Sequence, residues 1–230
     1  MHYLGKPSAL ILGLPGSVFF LWMSALFFTV TFLVFWKRFR DERDALTGAF
    51  TAFLLGMAIF HIILGAAELY QNEALILLAI LVAFIGSTYT LRFPLSELKE
   101  PWRSWIFYTV LAGTLIYMTA AILYSYPVGH VLTVVFWYMI IVSGGISGLY
   151  ALKKGFEAKT QSARVKCIGG GAGIITCCLV ADLMVIFAGV TIIGEVLMSV
   201  APVILLGSVV HGRRCEAKEQ EQLSNKNVAI

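Results

Sequence analysis

A histidine and an aspartate lie inside apolar runs long enough to cross a bilayer. These are the residues of the chain with most capacity for chemistry. His61 falls in ALTGAFTAFLLGMAIFHIILGAAELY, Ala45 to Tyr70, and Asp182 in the run from Cys167 to Ala188. An ionisable side chain within a span costs several kcal/mol unless it is paired or hydrated, so each is a functional hypothesis by default. His61 is about seven residues from the outer end of its run and Asp182 about seven from the outer end of its own. At ~1.5 Å rise per residue both lie about 10 Å below the outer boundary, and equal depth allows a hydrogen bond between them across a bundle. Ser199 stands at that level on the last apolar run. Glu68, His130 and Glu195 are shallower and would ring the mouth of an outward-facing pocket.

Several chemistries compete for these residues. The plainest is structural: His61 and Asp182 satisfy each other and fix helix packing. The second is a ligand-binding or proton-sensing pocket, because a histidine beside a carboxylate titrates near neutrality and can bias two arrangements of a bundle. A Ser199, His61, Asp182 hydrolytic triad would draw on three separate helices, and nothing in the sequence marks a strained nucleophile or an oxyanion hole. An intramembrane zinc site needs about three nitrogen or sulfur ligands, and only His61 is deep enough. Haem between His61 and His130 fails on depth, since His130 is at the boundary. A retinal Schiff base needs a lysine within a span, and every lysine here is in a loop or terminus. No catalytic residue, metal or cofactor is assigned.

The elements that must hold these groups are transmembrane helices. Of the 230 residues 59% are hydrophobic and 13% charged, against about a quarter charged in a soluble domain. The expected fold is an all-α membrane protein, a seven-transmembrane-helix bundle over residues 1–211 followed by a short polar tail, 212–230. The spans fall near Leu12 to Trp36, Ala45 to Glu68, Ala74 to Leu91, Ser104 to Tyr124, Val131 to Tyr150, Cys167 to Ala188 and Ile192 to Val210. Each has about the 20 apolar residues that the hydrocarbon core requires. The first lacks a basic leader and a small-residue cleavage site, so it reads as a permanent helix.

On the second helix Thr47, Thr51, Ala58, His61, Gly65 and Glu68 recur at intervals of three, four or seven. They form one small-and-polar stripe that should face inward. Gly48, Ala52 and Gly56 make a small-xxx-small row that invites a close neighbour. The glycines of the fifth and sixth helices, Gly144, Gly145, Gly148, Gly169, Gly170, Gly171 and Gly173, read as further close-packing surfaces. Pro202 should kink the seventh helix. Four cysteines without CxxC or metal-ligand spacing argue against disulfides and structural zinc.

Charge sets the expected orientation. Loops one, three and five and the tail carry sixteen of the 17 basic residues, and the alternate loops carry none. The positive-inside rule then places the N-terminus outside and the C-terminus in the cytoplasm, in the inner cell membrane. The clustered cations imply anionic membrane lipids as partners, with no nucleic acid.

Loop five ends in KTQSARVK before a glycine-rich helix, the third span ends in TLRFPL, and the seventh runs into EAKEQEQL. With seven helices and an outside N-terminus, this layout resembles the seven-helix input modules of prokaryotic membrane histidine kinases and related signalling proteins. There the seventh helix continues into a cytoplasmic coiled coil and an effector domain. Since this chain stops, the resemblance implies a stand-alone relative or one that signals through a separate cytoplasmic partner, with a homodimer also possible. The leading expectation is a receptor-like sensory or regulatory protein without enzymatic activity. A small-solute or ion carrier is the alternative, although the Pro-Gln pairs common in seven-span carriers are missing. An intramembrane lipid hydrolase is third.

Overall fold

The computed structural model describes residues 10–43, 45–183 and 191–228. Two short strands, β1 (Leu10–Ile11) and β2 (Leu14–Pro15), pair antiparallel across a turn in which Leu12 and Gly13 have positive φ, 51° and 81°. The first helix, expected from Leu12, begins instead after this hairpin. Pro15 precedes α1 (Gly16–Glu42), with its φ of −51° already near the helical value that its ring imposes.

Arg43, in the left-handed region, closes α1, and α2 (Ala45–Tyr70) follows. Asn72 opens α3 (Glu73–Tyr89), its side-chain oxygen accepting from the Ala74 and Leu75 amides at 3.0 and 3.2 Å. A single turn, α4 (Arg92–Leu95), extends the third span, and α5 (Trp102–Leu123) is the fourth. The fifth and sixth spans, α6 (Val128–Glu157) and α7 (Gln161–Ala181), each contain a π-helical stretch, Met139–Gly148 and Thr176–Ala181. The last helix is α8 (Thr191–Val228), with Pro202 inside it. Seven helices among the described residues are long and apolar enough to cross a membrane, so the all-α, multi-pass architecture holds.

Six of these spans close a ring in the order α1, α2, α3, α6, α7, α8, with α8 packed back on α1. The fourth span, α5, lies outside it against α3 and α4 and is the least buried. The stripe on α2 faces inward as its spacing requires: Thr47, Thr51, Ala58, His61 and Gly65 are buried and Glu68 is half-buried. Gly56 meets Gly86 of α3 so closely that an added Cβ would lie 2.9 Å from the Gly86 Cα. That crossing is the close approach announced by the small-residue row. Between α6 and α7 a Cβ on Gly144 would come within 3.2 Å of the Cys178 backbone, and one on Gly171 within 2.8 Å of the Gly148 carbonyl oxygen. Backbones in contact gain dispersion that lipid tails cannot supply at those positions, which is why the glycines pack here.

At the end carrying the basic loops a cavity of about 760 Å³ opens between the helices of the ring. Beside its mouth Lys154 pairs with Glu97 at 2.5 Å, and the Tyr150 hydroxyl donates to the same carboxylate at 2.7 Å. The hydrogen bond from Lys154, reinforced by that from Tyr150, holds the Glu97 carboxyl below the usual glutamate range.

Helix α8 passes through residue 212 without a break and runs about five turns beyond Val210, into the segment expected as a short polar tail. Contacts to the start of α7 explain the extra length. Ser162 Oγ donates to the Gly212 carbonyl at 3.0 Å, Lys166 pairs with Glu216 at 2.7 Å, and the Gln161 and Ser162 amides donate to Glu219 at 2.8 and 3.2 Å. Gly212, Glu216 and Glu219 share one face of α8, and Glu219 caps the N-terminus of its neighbour.

Candidate functional site

The two deep ionisable groups are both fully buried, His61 on α2 and Asp182 at the end of α7. Neither faces lipid. The hydrogen bond that equal depth allowed between them is nevertheless not made. His61 Nδ1 is 2.6 Å from the Met57 carbonyl oxygen, one turn back on its own helix. A carbonyl only accepts, so the proton sits on Nδ1 and Nε2 is left as a bare acceptor. Phe28 of α1 stacks on the imidazole at 5.2 Å and 20°, and Phe60 meets it edge-on at 4.9 Å. Among the described residues neither His61 Nε2 nor either Asp182 oxygen has a hydrogen-bond partner.

Helix α1 is what the sequence reading left out. Its polar residues take up the groups expected to line an outward pocket. Ser24 Oγ is 2.7 Å from Ser199 Oγ on α8, and Ser199 Oγ also lies 3.3 Å from the Phe20 carbonyl. Ser17 donates to Glu68. Two turns beyond Ser24, Thr31 Oγ1 donates to the Phe27 carbonyl of its own helix at 2.8 Å and lies 3.3 Å from the Pro202 carbonyl of α8. The heptad-like run Ser17, Ser24, Thr31 was a legible signal: three hydroxyls at intervals of seven on the same face of a largely apolar helix.

Of the mouth residues, Glu68 is thus tied to α1, and His130 is exposed at the start of α6 with its ring edge-on to Tyr126 at 6.1 Å. No ion pair or hydrogen bond joins Glu68 to His130 among the described residues. The Glu195 side chain lies outside the described residues.

With Asp182 and Nε2 both bare, no proton relay runs from Ser199 through His61 to Asp182, and the hydrolytic triad is not assembled. No group of three or more His, Cys, Asp or Glu able to hold a metal occurs among the described residues. What the two groups can do is accept: a bare imidazole nitrogen and a donor-free carboxyl in a dry interior each bind a proton, an N–H or an O–H.

A second polar cluster has no counterpart in the sequence reading. Thr88 Oγ1 and the Tyr138 hydroxyl are 2.8 Å apart, and Thr90 Oγ1 is 3.1 Å from both Ser143 Oγ and Ser147 Oγ. The π stretch of α6 makes this possible. Ser147 Oγ donates to the Val142 carbonyl five residues back, and the shifted turn presents Ser143 and Ser147 together to α3.

No protein-family model matches the chain, and no curated protein and no solved structure matches it either.

Proposed function

We propose that the protein is a receptor-like sensory or regulatory protein of the inner cell membrane, without enzymatic activity, with its basic end in the cytoplasm. The observation that carries this reading is the pair of bare acceptors, His61 Nε2 and the Asp182 carboxyl, buried on two spans of a closed ring. Buried polar groups are ordinarily satisfied, and an unsatisfied one in a native core stores free energy that a proton or a polar ligand releases. The means of transmission is α8. One continuous helix packs on α1 beside Ser199, borders α7, and runs on past the basic end through residue 228.

In this reading protonation or ligand binding at His61 or Asp182 shifts α1 against α8, and a cytoplasmic partner reads the displaced end of α8. The test is a spin label at position 221 in the full chain, reconstituted in vesicles, with pH stepped on the N-terminal side. A change in label mobility that disappears in His61→Phe and Asp182→Asn is expected. A response that persists in both variants removes the pair from the mechanism.

A small-solute or ion carrier is the second reading, favoured by the neighbouring π stretches of α6 and α7. Carriers build midplane sites where regular helix gives way, and Asp182 directly follows the second stretch. Uptake into proteoliposomes, abolished by Asp182→Asn, would replace the first reading with this one.

A further inference from the structure

The cavity at the basic end is not part of the His61 and Asp182 site, and its shape and lining identify a different ligand. We propose that it is a slot for one anionic amphiphile, an acyl chain bearing a carboxylate or phosphate head, bound with the chain inward and the head at the basic end. Its volume of about 760 Å³ lies within the range of about 300–1,000 Å³ typical of small-molecule sites.

The lining follows α7 from Thr160 to Ile174 and α8 from Leu205 to Gln220, about 20 Å at ~1.5 Å per residue. The space is therefore elongated along these two helices and open at the basic end, long enough to take an extended acyl chain.

The walls agree with the shape. Phe35, Phe50 and Phe93 form one side, with ring centroids 4.7 and 5.7 Å apart, and Ile174, Leu205 and Val209 close the other. Gly170 also lines the slot, and an added Cβ there would meet nothing within 4 Å, so the absence of a side chain keeps the space open. At the mouth stand Arg38, Lys154 and Lys166, with Glu97 pairing Lys154 and Glu216 pairing Lys166, and the excess of positive charge belongs to the whole end, whose loops and tail carry sixteen basic residues against nine acidic ones. A largely apolar bore opening on an end of net positive charge is complementary to an anionic amphiphile.

Native mass spectrometry of the full chain in maltoside detergent, with oleate and with dioleoylphosphatidylglycerol as probes, tests this. One bound molecule of either probe is expected. Preference for oleate identifies a free acid as the source, and preference for the phospholipid identifies the leaflet. Gly170→Phe fills the slot and should weaken binding at least tenfold, whereas Gly113→Phe, equally unobstructed but on α5 outside the ring, should leave it unchanged.

Arg38→Gln should weaken oleate and spare oleyl alcohol. Binding of neither probe, or binding unaffected by Gly170→Phe, overturns the proposal. A second measurement needs no variant. Cys167 lines the slot and is half-buried, while Cys177, Cys178 and Cys215 are buried. Its modification by N-ethylmaleimide should slow at least fivefold when the probe is bound, and an unchanged rate at saturating probe likewise overturns the assignment.

Discussion

At the scale of the residue, His61 and Asp182 are alike in burial and differ in support. The imidazole is held by one hydrogen bond to Met57 and by stacking on Phe28, and has one unsatisfied atom, whereas the carboxyl has two. Removing a buried polar group that lacks a partner is neutral or stabilising, by about 1–3 kcal/mol of relieved desolvation. Asp182→Leu is therefore expected to raise the thermal midpoint of the purified protein while abolishing any response that depends on the site. A lower midpoint would mean that the carboxyl is engaged in the folded protein. His61→Ala should act oppositely, since it empties the space against Phe28 and Phe60. A loss of about 2–4 kcal/mol follows from the cavity left behind, and His61→Phe, which keeps a ring there, should recover most of it. Both positions were legible in the sequence because a charge in an apolar run has few innocent explanations. Their partners were not, because depth along a helix says nothing of rotation about its axis, and rotation decided that His61 faces α1.

At the scale of the element, the small-residue rows could be read from spacing and the irregular turns could not. Gly56 was marked by its row and is found backbone to backbone with Gly86. Gly56→Ala should therefore destabilise by about 1–3 kcal/mol, because the obstruction is main chain and cannot rotate away. Gly113→Ala on α5 has open space at its Cβ and should be neutral or stabilising by up to about 1 kcal/mol, the ordinary helix-propensity gain. Equal effects at both sites, in midpoints measured side by side, would remove the crossing from the account. The π stretches Met139–Gly148 and Thr176–Ala181 left no such mark. A π turn shifts the buried face by about one residue, and runs such as MIIVSGGISG are apolar or small on every side, so the shift changes no visible period. The hydroxyl cluster of Thr88, Thr90, Ser143 and Ser147 was hidden for the same reason.

At the scale of the whole molecule, number of spans and burial of the polar stripe were legible, and ring closure was not. Length and composition count helices. They do not say that α5 is left outside or that α8 returns to α1, since those depend on pairings between segments far apart in sequence. The closure has a testable consequence at the basic end, where charged contacts hold two otherwise free edges. Glu97 is held below the usual glutamate range chiefly by the Lys154 hydrogen bond, so its contribution is fully present above the unfolded value of about 4.3 and is lost as pH falls through the lower folded value. The thermal midpoint should drop over that acidic window, and Glu97→Gln should shrink the drop. The other edge is the clip of α8 to α7. Lys166 with Glu216 is a half-exposed pair worth about 0.2–1 kcal/mol, and Glu219 adds a helix cap beside it. Glu216→Lys should release the end of α8, so that trypsin cleaves at Arg213, Arg214 and Lys218 up to about fivefold faster, the equivalent of about 1 kcal/mol of opening free energy. Lys166→Glu in the same chain re-forms the pair with its charges exchanged and should restore the original rate. Cleavage that stays fast in the double variant would mean that the ion pair does not hold the helix, leaving Ser162 with Gly212 and the Glu219 cap to do so.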